Sequence, residues 1–89
     1  MKHAGDAALD RLEPLLASLR GFDALRERSR GVFYLRSRAF LHFHEDPAGL
    51  FADLRAANGD FTRLKVDDLA GEAALLRHVE TALASQARP

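Results

Sequence analysis

The chain of 89 residues balances 13 basic against 13 acidic side chains, is 47% apolar and contains no cysteine. This length suits one domain, residues 1–89, and the composition excludes a disordered chain, a disulfide scaffold and thiol chemistry. No apolar run approaches the ~20 residues of a membrane span and Met1–Asp6 lacks a signal-peptide stretch, so a cytoplasmic protein with no membrane partner is expected.

The first element is helical. Asp6 is placed to cap its start, and Leu9, Leu12, Leu16 and Leu19 recur at helical spacing. Pro14 interrupts this run, so the main helix either begins near Pro14 or is kinked there. Gly21 is a natural stop. Residues 22–30 are ambiguous, with Leu25 to Arg28 readable as a short strand or a helical turn. Charge is unevenly placed here: residues 20–38 hold six arginines against Asp23 and Glu27, whereas residues 45–80 hold eight acids against four bases. Such asymmetry marks either a nucleic-acid or acidic-partner surface or a solvated, arginine-rich one.

From Gly31 the apolar period changes to two, and three turn signals divide residues 31–66 into four short strands. Arg36-Ser37-Arg38 is the weakest turn. Asp46-Pro47-Ala48-Gly49 has the residues of a type I turn, and Ala57-Asn58-Gly59 those of a three-residue hairpin loop. With loops of three, four and three residues, positions 35 and 39, 45 and 50, and 56 and 60 pair. One face then gathers Phe33, Leu35, Ala39, Leu41, Phe43, Leu50, Ala52, Leu54, Thr62, Leu64 and Val66. Residues 48–57 also have a passable helical composition, which is the competing reading of that segment.

The last element is a helix capped by Asp67 or Asp68, with a stripe of Leu69, Leu76, Val79 and Leu83 beside Leu75. Gly71 reads as a local weakness in it. The tail Ser85 to Pro89 is expected to fray. Two amphipathic helices and one apolar sheet face predict an α+β fold: N-terminal helix, four-stranded antiparallel meander, C-terminal helix, with both helices on one face.

The opposite face is where a function is expected. The same register makes one row of Val32, His42, Asp53 and Arg63, a second of Tyr34, Phe40, Arg55 and Phe61, and a third of His44, Phe51 and Lys65. Arg55 is placed between the Phe40 and Phe61 rings. Ordinary cross-strand stabilisation accounts for such rows without any function. Their apolar area also suits a protein partner or a homodimer. Aromatics with arginine suit single-stranded nucleic acid, although no RNP-like motif is present. His42-x-His44 with Asp53 gives two imidazoles and a carboxylate for a metal or acid–base site. The adjacent carboxylate predicts that His42 titrates above His44. His3 falls in the N-terminal arm and His78 off the stripe of the last helix.

No phosphate-cradling glycine loop, H-E-x-x-H or G-x-S-x-G is present. The expected role is therefore a non-catalytic binding or interaction module, without cofactor, using the open sheet face. The alternative is a small metal-dependent or acid–base enzyme using His42, His44 and Asp53.

The stretch Gly31-Val-Phe-Tyr-Leu-Arg-Ser-Arg-Ala-Phe-Leu-His-Phe-His-Glu-Asp-Pro, continued by Gly49-Leu-Phe-Ala-Asp-Leu-Arg, resembles small bacterial proteins of uncharacterised role. More distantly, Leu19 to Phe43 resembles the MmcQ/YjbR-like family. That resemblance covers about half the chain and implies a helix and short linker leading into an antiparallel sheet, with nucleic acid as the suggested partner. Gly21 to Leu25 lacks the Pro-Gly turn of that family, and His42-x-His44 is not one of its marks.

Overall fold

The computed structural model describes residues 1–86. In chain order the elements are β1 (Lys2–His3), α1 (Asp6–Arg11), α2 (Glu13–Arg20), β2 (Leu25–Ser29), β3 (Val32–Leu35), β4 (Arg38–Asp46), β5 (Gly49–Arg55), β6 (Phe61–Lys65) and α3 (Leu69–Gln86). The fold is α+β on an antiparallel sheet, as expected, with more elements than the four strands and two helices expected. Strands β2 to β6 lie side by side in chain order, and β1 pairs with β4.

The N-terminal helical run is two helices. Leu12 both ends α1 and caps α2, and Pro14 sits in the first turn of α2, where its missing N–H costs no helical bond. Asp6 does not cap α1. That position belongs to Gly5, whose N–H donates to Glu45 Oε2 at 2.6 Å, and Asp6 lies in the first turn, where its charge complements the helix dipole. The ambiguous segment is strand β2, and residues 49–55 are strand rather than helix.

The second and third hairpins have the expected register. His42 opposes Asp53, Asp53 opposes Arg63, and Phe51 opposes both His44 and Lys65. The first hairpin differs. Leu35 pairs with Arg38 across a two-residue turn, with Arg36 at φ 59°, and the register shifts between Phe33↔Leu41 and Tyr34↔Ala39. The extra residue is thus a bulge at Phe40 and not part of the loop. A bulge re-aims its side chain. Phe40, expected on the open face, is fully buried in the core.

That core is one cluster. Ala8 and Leu9 of α1, Leu15, Leu16 and Leu19 of α2, and Leu75 and Val79 of α3 join Phe33, Leu41, Phe43, Leu50, Ala52, Leu54 and Val66. The expected stripe of α3 packs on the core through Leu75, Leu76, Val79 and Leu83, and only Leu69 departs from it. Asp68 is the cap, its Oδ1 accepting from Gly71 N–H at 2.7 Å. Leu69 therefore begins the first turn and is 83% exposed. Gly71 is no weakness, because a Cβ there would collide with the Lys65 carbonyl oxygen. Ser85 and Gln86 still belong to α3, and the rest of the expected frayed tail lies outside the described residues. Among the described residues, no helix is long and apolar enough to cross a membrane.

Candidate functional site

The open face is built by β4 and β5 at the sheet centre, flanked by β6 and, at the end of β4 that β3 does not reach, by β1. His42 and His44 project to this face because they alternate with the buried Leu41 and Phe43. Asp53 alternates with the buried Ala52 and Leu54 in the same way. Asp53 is only 7% exposed, the one charged residue among the buried side chains of the described residues. Arg63 on β6 holds it with two parallel bonds, Nε to Oδ1 and Nη2 to Oδ2, each 2.8 Å. Such a bidentate pair fixes a carboxylate in orientation as well as in charge.

Both imidazoles approach the same carboxylate oxygen. His44 Nε2 lies 3.5 Å and His42 Nε2 3.9 Å from Asp53 Oδ2. These are too long for hydrogen bonds. Both ring nitrogens of His44 are buried with no hydrogen-bond partner. His3, expected in the N-terminal arm, is brought to the cluster by β1. It opposes His44 directly, with ring centroids 4.7 Å apart and its ring 5.9 Å from that of His42. The pairing had no usable signal in the sequence, because β1 has two residues and its partner lies more than 40 positions away.

The electrostatics follow from burial. Loss of water pushes both His42 and His44 below their ordinary value, and the Asp53 carboxylate opposes this without reversing it. The expected order, His42 above His44, is therefore not the governing feature: both share one carboxylate oxygen, and desolvation is the larger effect on each. Arg63 holds the Asp53 carboxyl below the usual carboxylate range. At neutral pH the cluster is thus two neutral imidazoles against one anion. One donor atom from each of His42, His44 and Asp53 falls within a 4.8 Å span, which suits a metal ion, a small polar ligand or proton transfer.

The remaining expected face residues are distributed differently. Phe61 is 43% exposed and meets the His42 ring edge-on at 5.2 Å. Arg55 lies over Phe61 at 4.9 Å and donates to the Ala39 carbonyl, so it is not sandwiched between two rings, since Phe40 has left the face. Tyr34 is covered by Arg28 at 4.6 Å, and Phe51 is half-buried. Half of the arginine cluster is engaged in hydrogen bonds: Arg20 with Glu13 and Glu27, Arg30 with Asp10 and Glu13, and Arg36 with the Gln86 carbonyl. His78 is exposed on α3.

No protein-family model matches the chain, and comparison with curated proteins and with solved structures gives no match. The resemblance to YjbR-like proteins therefore rests on its residues alone.

Proposed function

We propose that the protein is a small non-catalytic binding module that takes a small polar ligand on the open face of its sheet, at His3, His42, His44 and Asp53. The observation that carries this reading is His44. Its two nitrogens are withdrawn from water without a partner, and such groups cost free energy unless a ligand satisfies them. The face suits a small ligand better than a macromolecule. Phe40 contributes no surface to it and Tyr34 lies under Arg28, so of the expected aromatics only Phe61 stays exposed, which weakens both the protein-interface and the nucleic-acid readings.

The test is backbone and imidazole NMR during separate additions of zinc, inorganic phosphate and acetate, with solution mass measured alongside. The reading expects shifts centred on His42, His44, Asp53 and Phe61 with one of these probes, in a monomer. Shifts confined to residues of α3, away from that face, would refute it.

One observation favours the enzyme alternative. Neutral imidazoles beside a fixed carboxylate can accept a proton, as general bases do. Turnover of simple esters or phosphoesters that vanishes with His44→Ala would favour that alternative over the binding module.

A further inference from the structure

We propose that His3, His42, His44 and Asp53 together form a zinc-type divalent metal site, which the two-residue strand β1 completes by delivering His3. This rests on the open face being the working surface, and adds the ligand class.

Three features point to a transition metal. First, the donors are three imidazoles and one carboxylate. Imidazole suits zinc and its neighbours, whereas calcium and magnesium need oxygen donors. Second, the donors converge. His42 Nε2 and His44 Nε2 face one oxygen, Asp53 Oδ2, at 3.9 and 3.5 Å. Bonds of ~2.0–2.1 Å in a tetrahedron place donors about 3.3 Å apart, so the 4.8 Å span of the His42, His44 and Asp53 donors closes by about 1.5 Å through side-chain rotation, and the neighbouring His3 ring, which lies outside that span, turns in to join them. Third, His44 has both ring nitrogens buried and unpartnered. A metal on one of them supplies that nitrogen with a partner.

The first residues are tied down in a way that places His3. Lys2 and His3 pair with Glu45 and His44, Ala4 N–H donates to the Phe43 carbonyl at 3.1 Å, and Gly5 N–H donates to Glu45 Oε2. These bonds hold the His3 ring over that of His44, 4.7 Å away, although His3 itself covers no core. Arg63 does not exhaust the carboxylate. It takes one bond on each oxygen, and each oxygen offers two lone pairs. Its positive charge does weaken the attraction of Asp53 for a cation, so micromolar rather than tighter affinity is expected.

The experiment uses the untagged chain and zinc alone, titrated against a chromophoric chelator, with cobalt(II) absorption reporting the coordination. One zinc per chain is expected, with calcium giving no competition. His3→Gln should weaken zinc by at least about tenfold, the lower end of what even an outer-shell partner costs. His44→Ala should abolish binding and His78→Gln should leave it unchanged. Circular dichroism checks folding, and His42→Gln replaces His44→Ala if the latter unfolds. Zinc affinity unaltered by His3→Gln overturns the completing role of β1. Absence of zinc binding, or binding lost only with His78→Gln, overturns the site. If zinc fails while phosphate or acetate still shifts His42 and His44, the metal assignment alone falls. If no probe shifts that face, the working-surface reading beneath it falls as well.

Discussion

His3 and His44 stand directly opposite one another in the β1–β4 ladder, with ring centroids 4.7 Å apart. Two residues of strand at the start of the chain thereby turn a pair of imidazoles into a group of three. Directly opposed residues share a sheet face, so the pairing alone commits His3 to the side of Asp53.

The buried bulge makes the Phe40 ring part of the core. Phe40→Ala should cost about as much as Phe43→Ala, about 3–5 kcal/mol each, because both remove a buried ring and leave a cavity. Urea unfolding of the two variants checks this. The equality should hold in a monomer, so solution mass is measured on the same samples. A Phe40→Ala cost well below that of Phe43→Ala would return Phe40 to the open face.

Asp53 is more than a surface partner. Replacing it with Ala removes two charge-assisted bonds at a buried position and should cost about 1–3 kcal/mol, more than the ~0–1 kcal/mol of an exposed pair. Asp53→Asn should lower the titration points of both His42 and His44, since the carboxylate is the group that raises them. Imidazole NMR titration of that variant reads the effect. A change at His42 alone would contradict the shared Oδ2 contact.

Stability should fall in acid in two stages. The folded imidazoles of His42 and His44 lie below their unfolded value of about 6.5, so between the two values the unfolded chain binds more protons. Stability is therefore complete above about pH 6.5 and declines as pH falls through that window. Asp53, whose folded value is depressed, contributes stability above about pH 4 that is lost as pH falls further. Urea midpoints between pH 7.5 and 3 check both stages. The double variant His42→Gln/His44→Gln should flatten the first and retain the second.

Gly71 sits where α3 begins its approach to the end of β6. Alanine is the better helix former by ~1 kcal/mol, yet its Cβ would collide with backbone at Lys65. Gly71→Ala should therefore destabilise, by about 1 kcal/mol or more net. A thermal melt showing stabilisation would mean that the α3 start can shift away from Lys65.

The sequence alone determined the register of the two hairpins from Leu41 to Lys65, while leaving a helix over residues 48–57 as the competing reading. Asp46-Pro47-Ala48-Gly49 and Ala57-Asn58-Gly59 are strong turn signals, and a fixed loop length fixes which residues oppose. His42, Asp53 and Arg63 were thus placed in one row by local chemistry and period-two alternation. Only the tertiary structure decided the rest. Arg36-Ser37-Arg38 does not specify whether the spare residue sits in the turn or in the strand, and packing settled it by burying Phe40. The Gly71 contact depends on how α3 meets the end of β6. His3 joined His44 through a two-residue strand too short to leave a periodicity, held by bonds to Phe43 and Glu45 some 40 positions away. Local patterns encode pairing between neighbours in the chain, whereas a contact between distant segments is set by which surfaces the packed core leaves available.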